Sequence, residues 1–297
     1  MQLNEILKEM NEQGKCSGDT AFDVLALIDA KVTKPVLTFI DNRDYIPQDF
    51  MDCTVLVEHN FADAVSARGL CACENPRLLF FKIHNYLSSK DGYKRELSKT
   101  TIGNNCKISP LSFIADNNVS IGDNTVIEEF VSIKENTTIG SNCIIRSGCT
   151  IGGEGFEYKR DGDEIYPVIH SGGVTIGNNV EIQHQCTVDK AVFPWDDTVI
   201  GEFCKIDNLV HIAHSVKLGK RVLMAANALI SGRTTIGDDV WIGATATISN
   251  AISIGNNARV NIGAVATKNV DDNQSVTGNF AIDHMKFIRN LKEQSRG

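Results

Sequence analysis

Residues 200–260 read IGEFCK IDNLVH IAHSVK LGKRVL MAANAL ISGRTT IGDDVW IGATAT ISNAIS IGNNAR V when set out in sixes. Each block opens on an aliphatic residue: Ile200, Ile206, Ile212, Leu218, Met224, Ile230, Ile236, Ile242, Ile248, Ile254 and Val260, eleven in succession. A period of six fits neither the two-residue alternation of a strand nor the 3.6 of a helix. It is the mark of a hexapeptide solenoid, in which three short strands make an 18-residue coil and every sixth side chain points into a triangular prism.

The rhythm extends outward from that stretch. Toward the N-terminus it holds at Ile102, Ile108 and Ile114, slips by one residue, and resumes at Ile121, Ile127, Ile133, Ile139, Ile145 and Ile151, then at Ile176, Ile182 and Val188. An aliphatic-glycine pair recurs every 18 residues at Ile200-Gly201, Leu218-Gly219, Ile236-Gly237 and Ile254-Gly255, with Asn, Asp or Ser crowding the positions after such glycines. That composition predicts a glycine turning a corner of the prism. Gly152–Val174 and Asp189–Val199 break the count and carry Phe156, Tyr158, Tyr166, Phe193 and Trp195. Insertions in a solenoid are expected to loop out on the surface, where function concentrates.

The flanks lack the repeat. Leu3, Ile6, Leu7 and Met10 mark an amphipathic first helix, Val36–Ile40 and Thr54–Val57 read as strands, and Asn75-Pro76 opens a second helix running through Arg77–Ile83. A third helix is expected over 282–292, where Lys286, Arg289 and Lys292 form a basic row that is either a solvated face or a dock for an acidic carrier protein. The expected organisation is an α/β domain over 1–97, a mainly β solenoid over 98–270 and a C-terminal helical extension over 271–297.

Bulk properties narrow the function. A net charge of −8 with no basic stripe argues against nucleic-acid binding. No apolar run reaches the ~20 residues of a membrane span, and the opening MQLNEILKEMNEQGK lacks the pattern of a signal peptide, so a cytoplasmic protein is expected. The nine cysteines show no CxxC spacing and are expected to be reduced and packed as small apolar groups.

The chemistry concentrates in Asp207–Ser215, which holds His211 and His214. With Ile212 inward, His214 is expected to face out, and one 18-residue coil further on lies Gly232, whose backbone should stack beside the imidazole. A base beside an open N–H donor is what acyl transfer to an amine requires: one group takes the amine proton, the other stabilises the tetrahedral oxyanion. A histidine merely hydrogen-bonded on a solenoid face is the plainer alternative. Zinc held by His184, His211 and His214 is a third reading, but 27 residues separate His184 from His211, one and a half coils, so no metal is expected.

At these residues the chain resembles the UDP-3-O-acylglucosamine N-acyltransferase family of lipid A biosynthesis. The resemblance rests on GEGFEY at 153–158, VTIGNNVEI and CTVD ending at Asp189, DDTVIG, and above all IDNLVHIAHSVKLG. It implies a left-handed parallel β-helix behind an N-terminal uridine-binding domain, with His214 as general base, Gly232 as oxyanion donor, and His211, Asp207 and Asn208 as accessory residues. A Phe-x-x-Asn-x-x-Tyr pattern binds uracil in that family, and Phe39, Asn42 and Tyr45 reproduce it. The related O-acyltransferases share the histidine block but lack the N-terminal domain.

The resemblance further implies a homotrimer, a UDP-linked amino sugar as acceptor, and an acyl carrier protein or CoA thioester as co-substrate, with no permanently bound cofactor. The chain departs from the pattern where Ala251 replaces a second active-site histidine, in a slightly long loop over Lys190–Trp195, and in a short last helix. The altered donor or acceptor this suggests leaves two rivals: acetyl-CoA-dependent acylation of a surface-polysaccharide amino sugar, and a binding module without turnover.

Overall fold

The computed structural model describes residues 1–28, 30, 32–42, 50–278 and 281–294. The chain divides into two compact units, one formed by Met1–Ser98 with Glu154–Gly173 and Lys190–Asp197, the other by Lys99–Gly153, Val174–Asp189 and Thr198–Gly297.

The first unit is an α/β layer. Strands β1 (Lys15–Gly18), β2 (Val24–Leu25), β3 (Val36–Ile40), β4 (Phe50–Glu58) and β5 (Ala67–Cys73) order as β1-β5-β4-β3-β2. Only the β1–β5 pair is antiparallel. Helix α1 spans Leu3–Met10 and buries Leu3, Ile6 and Leu7. Helix α2, Pro76–Ser88, starts where Asn75 Oδ1 accepts the Leu78 N–H at 3.0 Å and proline occupies the first turn, which lacks partners for its N–H groups anyway. Its buried Leu79, Phe80, Ile83 and Leu87 share one core with Leu37, Leu56 and Cys71.

Both solenoid insertions fold into this unit instead of standing out as surface loops. Val168, Val192 and Phe193 enter the same core, the Phe80 and Phe193 rings meet edge-on at 5.9 Å, and Trp195 Nε1 donates to Leu25 O at 2.8 Å. Apolar side chains this large gain more from burial than an exposed loop could return. Phe156, at 88% exposure, and Tyr158, at 47%, stay outside that core.

In the second unit the repeat becomes three parallel sheets. Face I carries Ile200, Leu218, Ile236 and Ile254; face II carries Ile206, Met224, Ile242 and Val260; face III carries Val188, Ile212, Ile230 and Ile248. Partners lie one coil apart, as Ile200 with Leu218 and Ile212 with Ile230. The eleven aliphatics from Ile200 to Val260 are all buried, none above 3% exposed. Ile102, in the first coil, is exposed because no coil precedes it. Cys143, Cys149, Cys186 and Cys204 sit two residues before inward aliphatics and are buried, and all nine cysteines are free.

The recurrent glycine does not do what its neighbours suggested. The left-handed residue of each turn stands three places after the inward aliphatic, as at Arg221 (φ 56°), Asn227 (φ 58°) and Asp239 (φ 60°). The glycines at 201, 219, 237 and 255 instead provide clearance at the corner between faces I and II. A Cβ on Gly201 would fall 2.2 Å from Gly219 O, and one on Gly219 would fall 2.6 Å from the Gly237 carbonyl carbon. They are glycine because consecutive coils touch backbone to backbone there.

After the solenoid, α3 spans His284–Gln294 with no buried residue, two residues later at each end than expected. None of the described helices is long and apolar enough to cross a membrane.

Candidate active site

Every irregularity of the repeat falls on one corner, that leading from face III to face I. Ile114 to Ile121 takes seven residues where six would do, Ile151 to Ile176 takes 25, and Val188 to Ile200 takes 12. The next two coils carry His214 and Gly232 at this same corner, each two residues past its inward isoleucine.

The structure brings these two together. A Cβ placed on Gly232 would lie 2.6 Å from His214 Nε2 and 2.7 Å from Cε1, so the imidazole edge occupies the space that any side chain at 232 would need. The amides on either side of Gly232 belong to the coil-to-coil ladder: Ser231 N–H donates to Ile248 O at 3.0 Å and Arg233 N–H to His214 O at 2.9 Å. The Gly232 N–H lies outside that ladder, while its carbonyl accepts from Ala251 N at 3.0 Å. His214 is buried, 9% exposed, because the next coil closes over it at Gly232.

A residue that the reading of the sequence missed braces this corner. Thr198 is fully buried; its hydroxyl donates to Asp189 O at 2.6 Å and accepts from the N–H of Ser215, next to His214, at 2.8 Å. Thr125 and Thr234 also stand two residues before an inward isoleucine and clasp coils through their hydroxyls. A polar residue in an otherwise apolar column is the signal that would have found it.

His211 lies on the outer side of face III. Its Nδ1 is 2.7 Å from Thr187 Oγ1 and its Nε2 is 3.7 Å from Asp189 Oδ2. Burial holds its pKa below the ordinary value for histidine. Asp207 and Asn208 are elsewhere, at the corner between faces II and III: Asp207 Oδ1 accepts from Asn208 N and Nδ2, and Asn208 Oδ1 meets the backbone N and the Nδ1 of His184 at 3.1 and 3.0 Å. His184 thus belongs with Asn208, at a different corner from His214.

In the α/β unit, Phe39 is half-buried at the end of β3, its ring 5.0 Å from Phe80 and 6.3 Å from Phe81. The Arg77 guanidinium sits 5.6 Å from the ring centroid, and Arg77 Nε donates to Asp41 Oδ2 at 2.5 Å. Asn42 is exposed, and Tyr45 lies outside the described residues.

Two repeat families match the solenoid. A bacterial transferase hexapeptide (six repeats) model covers residues 118–153 and 197–232, and a hexapeptide repeat of succinyl-transferase model covers 233–268. A UDP-3-O-acylglucosamine N-acyltransferase 2 of Legionella pneumophila (strain Philadelphia 1) is 45% identical over 148 residues, 49% of this chain and 43% of that protein. A UDP-3-O-acylglucosamine N-acyltransferase of Rickettsia akari is 44% identical over 90 residues, 30% of this chain and 25% of that protein. The matched part thus spans between a quarter and just under half of these relatives.

Among solved structures, a UDP-N-acetylglucosamine acyltransferase from Campylobacter jejuni superposes with a TM-score of 0.55 at 22% identity, over 64% of this chain and 77% of that one. One from Bacteroides fragilis gives 0.54 at 22% identity, over 67% and 75%.

Prism, corner and repeats define a left-handed β-helix built from hexapeptide repeats. Through those repeats the chain is homologous with the UDP-3-O-acylglucosamine N-acyltransferases.

Proposed function

We propose that this protein transfers an acyl group from a thioester to the amine of a UDP-linked amino sugar. The observation that carries the reading is His214 lying against Gly232, whose N–H is outside the ladder; the curated relatives supply the substrate class. In the proposed step the amine nitrogen attacks the thioester carbonyl carbon while the His214 imidazole takes a proton from it. Charge gathers on the carbonyl oxygen, where the Gly232 N–H donates. The tetrahedral species then collapses, the carbon–sulfur bond breaks, and the imidazolium returns its proton to the departing thiolate. A positioned base contributes typically 10²–10⁴-fold and an oxyanion donor about 10²–10³-fold.

Phe39, Asn42 and Tyr45 are assigned to the uridine, and an acyl carrier protein or CoA thioester to the donor role. The working unit is a homotrimer in the cytoplasm, with the cleft between neighbouring subunits. His211, hydrogen-bonded to Thr187 and facing Asp189, is assigned the accessory task of orienting the acceptor.

The test is thioester-dependent acylation of a UDP-amino sugar by the wild type and by His214→Ala. Loss of at least 100-fold in kcat supports the mechanism; unchanged turnover removes it, and an inactive wild type favours a binding module. Ala251 in place of a second histidine favours one rival, a short acyl-CoA donor. Saturation kinetics with carrier-protein against CoA thioesters separates the two.

A further inference from the structure

Strand β1 is the edge strand of the first unit's sheet, and Cys16 stands directly opposite Cys71 of β5. The ladder geometry around that pair can be read from its end. Asp19 N–H donates to Arg68 O at 3.0 Å, one position beyond the Gly18–Gly69 pair. Hydrogen-bonded and non-hydrogen-bonded pairs alternate in an antiparallel ladder, so 18/69 is non-bonded, 17/70 bonded and 16/71 non-bonded. At such positions Cα atoms approach to about 4.5 Å with both side chains on one face, inside the ~4.4–6.8 Å that a disulfide spans.

The surroundings suit thiol chemistry. The neighbouring Cys71 thiol holds Cys16 below the ordinary thiol range, while Cys16 and burial push Cys71 up. Gly14 leaves room beside them, since a Cβ there would fall 2.5 Å from Cys71 Sγ. Gly14, Lys15 and Cys73, neighbours of the pair in sequence, line a cavity of about 830 Å³. Cys16 is half-buried and Cys71 buried.

We propose that Cys16 and Cys71 form a covalent modification site, a dithiol that a peroxide closes to a disulfide tying β1 to β5. The Cys16 thiolate attacks one peroxide oxygen and breaks the O–O bond, giving a sulfenic acid and, after protonation, water. The Cys71 sulfur then attacks the Cys16 sulfur; the S–S bond forms, and the hydroxyl departs with the Cys71 proton as a second water. Two thiols and hydrogen peroxide become one disulfide and two waters.

An internal control exists in the other unit. Cys149 and Cys186 stand on neighbouring coils, but their thiols donate to Gln183 O at 2.8 Å and Asp207 O at 3.0 Å, and at 0% and 1% exposure they are sealed inside the prism.

The full-length chain is treated with hydrogen peroxide, its remaining thiols are alkylated after unfolding, and it is digested without reductant. The expected product is one cross-linked peptide pair joining Cys16 to Cys71, reversed by dithiothreitol, with Cys149 and Cys186 alkylated. In Cys71→Ser, Cys16 is expected to stop at a sulfenic acid that dimedone traps. Finding Cys16 as a sulfinic acid while Cys71 remains alkylatable in the wild type overturns the proposal, as does a 149–186 link forming equally fast.

Discussion

The Nε2 edge of His214 fills the space where a side chain on Gly232 would begin, 2.6 Å from the position of its Cβ. Two residues 18 apart in sequence therefore share one site, and each constrains what the other position tolerates.

Gly232→Ala should abolish most activity while the protein still folds. The added methyl meets the end of a side chain, not backbone, so the imidazole gives way and loses its alignment with the amide. A fall in kcat of about 10²-fold or more is expected with unaltered circular dichroism. Wild-type turnover in this variant would separate the glycine from the chemistry.

Gly201→Ala tests the other use of glycine. Its Cβ meets Gly219 O at 2.2 Å, and backbone on both sides leaves nothing flexible to yield. A loss of about 1–3 kcal/mol is expected from overpacking of this kind, read as a drop in the denaturation midpoint. Glu202→Ala, at the adjoining position, serves as the comparison and should change the midpoint little.

His84 predicts a pH dependence. Its Nε2 lies 2.8 Å from Ile169 O, a pure acceptor, so that nitrogen carries the hydrogen and Nδ1 accepts from the Tyr93 hydroxyl at 2.8 Å. Burial lowers its pKa from 6.5 to about 4. The unfolded chain takes up a proton below 6.5 while the folded one refuses it until about 4, so stability falls across that window as pH drops. With the residue fully buried, the loss is about 3 kcal/mol. Urea midpoints from pH 7 to pH 4 should fall more steeply for the wild type than for His84→Gln; parallel curves would show that His84 does not control this.

Phe39→Leu should weaken UDP binding by about ten-fold or more if the ring stacks on the base, measured by titration calorimetry on the full chain. Leucine keeps much of the packing against Phe80 and Phe81. Equal affinity in the two proteins would move the nucleotide elsewhere.

The prism was legible in the sequence because one inward side chain per six residues is a global constraint that each coil repeats. The pairing of His214 with Gly232 was legible for the same reason: it follows from winding alone. The destination of Val192 and Phe193 was not, since an insertion has no period and its partners lie more than a hundred residues away in α2. Nor was the division of labour in the turns, because Gly201 and Asn227 look alike as turn formers, and only backbone angles and coil spacing tell clearance from handedness. Asp207 and Asn208, close to His214 in sequence, lie one corner away because a six-residue side of the prism separates them.

The stacking of one coil on the next makes number and pitch unequal variables. Duplicating or deleting eighteen residues in a distant part of the prism would lengthen or shorten the molecule and leave the 214–232 juxtaposition untouched. A single residue added between 216 and 230 would rotate everything beyond it by a fraction of a turn and dismantle the site. Evolution is therefore free to change how tall such a protein is, but between two residues that must meet across coils it must keep count.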